Sequence, residues 1–209
     1  MRSGLSSATT RASSRPRTEA VPIADASRWL LAGATLAVVG GTVGAALDAV
    51  HVHTGTTGYT HPVLFGQAWW VPPLFAGAAV AIGLGRPIAE RLVGSAGPRP
   101  SRSAAVAGMA LFILAYVSSG LLHTWPVTCS VVLAVLFAVG WHRYDRSALG
   151  LALAALTAAA GTAIEMLLVG TGAFFYVQPS FGGVAGWLPI LYCCASVGVG
   201  AFGSWLVDG

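Results

Sequence analysis

Lysine is absent from this chain, and charge of either sign is scarce: 11 Arg and 7 Asp or Glu across 209 residues, or 9% charged. An ordinary soluble domain carries roughly 25%. Eighteen charged side chains cannot coat a water-soluble fold of this length, so that class is excluded. Disorder is excluded too, because it requires low hydrophobicity and high net charge. The 27 Gly follow no triplet period, which excludes a collagen-like chain, and the three Cys (Cys129, Cys193, Cys194) lie inside apolar stretches and form no disulfide framework. A G-x-S-x-G elbow, an HExxH pair and a phosphate-cradling Gly loop ending in Lys are all missing, so the motifs do not point to an enzyme. No nucleic-acid partner is expected. What is present is apolar: 56% hydrophobic residues and a mean hydropathy of +0.75. The chain reads as an integral membrane protein.

A spanning helix needs about 20 mostly apolar residues to cross roughly 30 Å of hydrocarbon. Six stretches qualify, approximately Trp29 to Val50, Ala68 to Gly85, Ala104 to Leu122, Val127 to Trp141, Leu149 to Val169 and Val184 to Val207. The fourth is short for a full span. These runs are continuous rather than alternating, so they read as helices and not as the strands of a barrel. The expected fold is all-α, with six transmembrane helices. No internal repeat is apparent.

The arginines supply the orientation. They precede or open the first span (Arg2, Arg11, Arg15, Arg17, Arg28), lie between the second and third (Arg86, Arg91, Arg99, Arg102), or lie between the fourth and fifth (Arg143, Arg146). The positive-inside rule then puts both termini and these two loops in the cytoplasm. Residues 1–27 read as a flexible Arg- and Ser-rich cytoplasmic tail, and 28–209 as one six-helix domain. A cleaved signal peptide is not expected, because the apolar run is too long and lacks a small-x-small site. The use of Arg without Lys suits a bacterial gene, and hence the bacterial cytoplasmic membrane.

Several local features admit two readings. Ala68-Trp69-Trp70-Val71-Pro72-Pro73 opens the second span on the outer side, and Gly186-Trp187-Leu188-Pro189 stands in the same place before the sixth. Tryptophans at an interface anchor a span, and Pro is tolerated in a first helical turn. The other reading is that the prolines distort the helix and open a cavity. Small residues at Gly40 and Gly44, and at Ser196, Gly198, Gly200, Gly203 and Ser204, permit close helix contact, within the chain or between copies in a homo-oligomer.

Two acids, Asp48 and Glu165, fall near the outer ends of the first and fifth spans. Intramembrane acids are functional suspects by default. Glu165 has no neutralising neighbour in sequence: it reaches the headgroups, bonds another helix, or offers its carboxyl to a ligand hydroxyl. His51, His53, His61 and His123 belong to the same zone. A metal held by Asp48, His51 and His53 is chemically conceivable, but the spacing matches no metal motif, and no metal or cofactor is expected. Adjacent Cys193 and Cys194 read as core fillers rather than a redox pair.

The chain resembles a known family. AWWVPP (Ala68 to Pro73) followed by IGLGRPIAERLVG (Ile82 to Gly94), YDRSALG (Tyr144 to Gly150), LLVGTGAFFYVQP (Leu167 to Pro179), GWLP (Gly186 to Pro189) and then Gly200 and Gly203 are similar to segments of the insulin-induced gene (Insig) membrane proteins, in the same order. The resemblance implies six membrane helices without catalysis and with both termini cytosolic. It also implies an oxysterol-binding role in the endoplasmic reticulum membrane for animal members, which retain a sterol-sensing escort protein. This chain departs where partners matter. Ser180 replaces an Asp, the stretch Tyr116 to Gly120 lacks Asn-His-Ala-Ser, and the sequence ends at Asp208-Gly209 without a retrieval tail. These departures argue against binding of such an escort protein.

The expected function is a sensor or regulator that binds an apolar, hydroxyl-bearing lipid, diacylglycerol-like or oxysterol-like, in a cavity among the helices. Trp69, Trp70, Pro72, Pro73, Trp187 and Pro189 are expected to shape that cavity, and Glu165 and Tyr176 to meet the polar end of the lipid. A small-solute transporter, with a water-filled path and a charged midplane site, is the alternative. A membrane enzyme using Asp48 and the outer histidines is a third reading.

Overall fold

The structure, a computed structural model, describes residues 23–94 and 99–209. The first span is one continuous helical rod: α1 (Ile23–Val39), a π turn over Gly40–Gly44, and α2 (Ala45–His53). A three-residue strand β1 (Thr57–Tyr59) leads through a tight loop to α3 (Val71–Leu92). Next come α4 (Arg102–Leu121), α5 (Pro126–Tyr144) and α6 (Ala148–Gly170), then strand β2 (Phe174–Tyr176) and α7 (Leu188–Asp208). Among the described residues, six helical spans are long and apolar enough to cross a membrane. The expected flexible tail, 1–27, falls mostly on residues outside those described; α1 begins at Ile23. The fourth span is not short. It runs 19 residues from Pro126 to Tyr144, about 28 Å at 1.5 Å per residue, because the polar tail His142-Arg143-Tyr144 continues the helix.

The helix ends follow from local chemistry. Ser101 and Ser147 cap α4 and α6 by accepting from the backbone N–H of Ala104 and Gly150. Pro72 and Pro73 sit in the first turn of α3, and Pro189 in that of α7, where no intrahelical N–H is needed. The prolines therefore start helices rather than bend them. The distortion reading is corrected.

An internal repeat exists, contrary to the sequence reading. Residues around the first hairpin recur 117 positions later: Gly44 and Gly161, Asp48 and Glu165, Thr54-Gly55 and Thr171-Gly172, Tyr59 and Tyr176, Pro62 and Pro179, Trp70 and Trp187, Pro72 and Pro189, Gly83 and Gly200. The geometry repeats with the residues. Helix α2 ends at Gly55 (φ 75°) with Gly55 N–H bonded to Val52 O and Thr56 N–H to His51 O. Helix α6 ends at Gly172 (φ 72°) with the equivalent bonds to Val169 O and Leu168 O. Both are Schellman endings, which call for glycine in the left-handed region. The strands pair antiparallel with Thr57 opposite Tyr176, Gly58 opposite Phe175 and Tyr59 opposite Phe174. Gly58 and Phe175 are repeat equivalents facing each other, so a local two-fold axis passes between them. Helices α4 and α5 are inserted between the two copies.

Helix α7 is the central post, packed against α3, α4, α5 and α6. Its small residues permit this. A Cβ added at Gly198 would lie 2.7 Å from Gly108 O, and one at Gly203 would strike the Gly83 backbone of α3. On the first span, Gly40 and Gly44 meet Phe75 and Ala79 of α3. Of the two uses open to these small residues, the contacts seen here are within the chain.

Candidate functional site

The two acids of the repeat stand at the ribbon end of the fold, each bonded to the tyrosine eleven residues on. Asp48, 6% exposed, accepts at Oδ2 from Tyr59 OH (2.7 Å) and from Gln67 Nε2 (2.7 Å). Glu165 accepts at Oε2 from Tyr176 OH (2.5 Å) and at Oε1 from Tyr192 OH of α7 (2.6 Å). Burial holds the phenols of Tyr59 and Tyr176 well above their ordinary pKa, and the adjacent carboxyl of each pair adds to it. Both phenols therefore stay protonated donors. Of the three outcomes open to Glu165, bonding another helix is the one observed, with the ribbon as second partner.

Beside the acids, His51 is buried rather than sitting in a wet loop. Its Nε2 donates to Tyr116 O (3.2 Å) and lies 2.9 Å from Ser119 Oγ, which itself donates to the same carbonyl. The imidazole stacks on Tyr116 at 4.4 Å and meets Trp187 edge-on at 5.7 Å. His53 is exposed, so Asp48, His51 and His53 do not converge. Among the described residues no group of three or more His, Cys, Asp or Glu is placed to hold a metal ion.

These groups close one end of a cavity of about 380 Å³ formed by the first span, the ribbon, α3, α4, α6 and α7. Helix α5 does not reach it. The π turn does, through Gly40, Val43 and Gly44. A π turn widens the helix locally and is frequent at functional sites. The walls are aliphatic and aromatic, including Leu36, Phe75, Ile82, Phe112 and Leu191. The polar groups at the end are the two acids, their tyrosines, His51 and Thr57. Such a site, apolar with a few convergent polar groups, suits a small amphipathic molecule.

Of the residues singled out from sequence, Trp70, Glu165 and Tyr176 line the cavity. Trp69 is 74% exposed and Pro72 and Pro73 are exposed too, while Pro189 is only partly buried. Trp187 is buried behind the wall, against His51 and Tyr176. These five lie outside the lining. Sequence reading flagged Asp48 as a suspect acid but missed Tyr59, Gln67, Thr57 and Tyr192 around the same polar end. The repeat was the available signal, since it pairs Asp48-Tyr59 with Glu165-Tyr176.

A second polar cluster holds the opposite end together. Asp145 of the YDRS segment, its side chain 1% exposed, accepts from Arg86 Nη1 (2.9 Å) and from the backbone N–H and hydroxyl of Ser147. Arg86 also pairs with Glu90 (3.1 Å). The GRPIAER and YDRS segments are thus one structural unit.

No family model matches the chain. It is nonetheless 31% identical over 182 residues to the insulin-induced gene 1 protein of Danio rerio, spanning 85% of this chain and 72% of that one. It is 30% identical to the human protein of that name, over 87% of this chain and 68% of that one. Among solved structures, it is similar to a mycobacterial Insig homologue from Mycobacterium vanbaalenii, with a TM-score of 0.73, 27% identity, and coverage of 85% of this chain and 95% of that one. A cross-linked trimer of the same homologue matches with a TM-score of 0.75. With its six spans, and with this identity over most of its length, the chain belongs to the insulin-induced gene (Insig) family.

Proposed function

We propose that this protein is a non-catalytic lipid sensor or regulator, holding one neutral, hydroxyl-bearing lipid, diacylglycerol-like or oxysterol-like, in the central cavity. The observation that carries this reading is the cavity itself: apolar walls closed at one end by two carboxyls and their hydrogen-bonding partners. Hydrocarbon gains by leaving its surroundings only for a close-packed wall, while a hydroxyl finds both acceptors and donors at the polar end. A phosphate there would meet two carboxyls and no Arg or Lys among the lining residues. The arginine distribution supports termini on the cytoplasmic side of a bacterial membrane, and the cross-linked trimer of the mycobacterial relative supports a homo-oligomer.

The test is retention of dioleoylglycerol against phosphatidic acid under identical detergent washing. The wild type is expected to retain the neutral lipid preferentially. Replacing Glu165 with Leu is expected to weaken that binding by about 1–2 kcal/mol, the scale of one hydrogen bond in this setting. Glu165→Leu also strands two tyrosine hydroxyls, costing about 1–3 kcal/mol of stability. Glu165→Gln keeps the shape and one of the two acceptors, with its amide N–H facing the other tyrosine oxygen, and is the milder variant. A preference for phosphatidic acid would contradict the reading.

A further inference from the structure

The two halves of the repeat are not equally satisfied. Glu165 uses one oxygen for Tyr176 and the other for Tyr192. Asp48 uses Oδ2 for the equivalent Tyr59, but the residue equivalent to Tyr192 is Phe75, which has no hydroxyl. The second donor to Asp48, Gln67, returns to the same Oδ2. Asp48 Oδ1 therefore takes no hydrogen bond among the described residues, although the residue is 94% buried by its 6% exposure and lines the cavity.

We infer that the cavity also accepts long-chain aliphatic primary amines, with the ammonium held by Asp48 Oδ1 and the chain along the apolar wall. This rests on the reading that the cavity holds an amphipathic molecule. An ammonium brings three donors and no acceptor, matching a free carboxyl oxygen. Hydrogen bonds between ionised partners are roughly twice as strong as neutral ones. The other charged group facing the space is Glu165, also acidic, and no Arg or Lys lines it to compete. The lone basic ring, His51, spends Nε2 on Tyr116 and Ser119. A fatty acid of the same length would set a third carboxylate against these two.

The experiment measures saturable binding of tritiated dodecylamine, dodecan-1-ol and dodecanoate to the full chain in phosphatidylcholine nanodiscs, with empty nanodiscs subtracted. Dodecylamine is expected to bind about tenfold tighter than the alcohol, and dodecanoate to be weakest. Asp48→Asn is expected to erase the amine's advantage over the alcohol, read as the ratio of the two affinities within the variant. Phe75→Tyr, which offers Asp48 the hydroxyl that Tyr192 gives Glu165, is expected to narrow the amine's advantage about threefold. Should Asp48→Asn not fold, the wild-type amine-to-alcohol ratio and Phe75→Tyr decide. Equal binding of amine and alcohol, or amine binding that survives Asp48→Asn, overturns the inference. If the alcohol binds and the amine does not, the amine inference alone falls; if neither saturates, the cavity reading falls with it.

Discussion

Asp145 shows what a single side chain does at the end of the fold opposite the ribbon. It joins α3 to the α5–α6 turn through Arg86 and anchors the cap of α6 through Ser147. Removing one partner of a buried pair leaves the other charge uncompensated. Arg86→Ala is therefore expected to lower unfolding stability by about 3–5 kcal/mol, read by thermal unfolding in detergent. Arg91 makes the control, since its pair with Asp208 is half exposed and its guanidinium rests on the Trp29 ring at 4.4 Å. Arg91→Ala is expected to cost about 1 kcal/mol or less. Equal losses from the two variants would contradict this assignment. At this scale the sequence exposed the two membrane acids but not their partners. Gln67 lies 19 residues from Asp48 and Tyr192 lies 27 from Glu165, separations at which no local rule connects side chains.

Among the elements, α7 sets the geometry because its glycines let other backbones approach. Gly203→Ala is expected to push α7 off α3 and cost about 1–3 kcal/mol, as overpacking does, measured as a shift in thermal midpoint. Pro72→Ala is expected to change stability by less than about 1 kcal/mol, since the residue sits exposed in a first turn. The spans were legible because continuous apolar runs between Arg-bearing loops leave few alternatives in lipid. Their ends were less so: α3 starts at Val71 and not Ala68, because Trp70 is the residue that turns the chain into the helix. The repeat escaped notice because its identities are single residues spread over two helices and a loop, each ordinary alone in a Gly- and Ala-rich chain. Only shared geometry makes them a pattern: two Schellman endings, two loops with positive φ at Phe65-Gly66 and Gly182-Gly183, and two Pro-started helices.

For the whole molecule, two statements remain to be measured: which way it faces and what it holds. Cysteines introduced singly at His61 and Ser180, both exposed at the ribbon end, are expected to label from outside intact cells, and one at Ser101 is not. Thr56 is unsuitable for such labelling because it is only 2% exposed. Labelling at Ser101 from outside would reverse the topology. The central claim is that the cavity is a neutral-lipid site. The most direct measurement is native mass spectrometry of the full chain purified with its co-extracted lipid, beside Ala78→Phe, which places a ring in the cavity. The account predicts one neutral, hydroxyl-bearing lipid per chain in the wild type and its loss in Ala78→Phe. An anionic phospholipid at that stoichiometry, or a lipid retained unchanged by the filled variant, would contradict it.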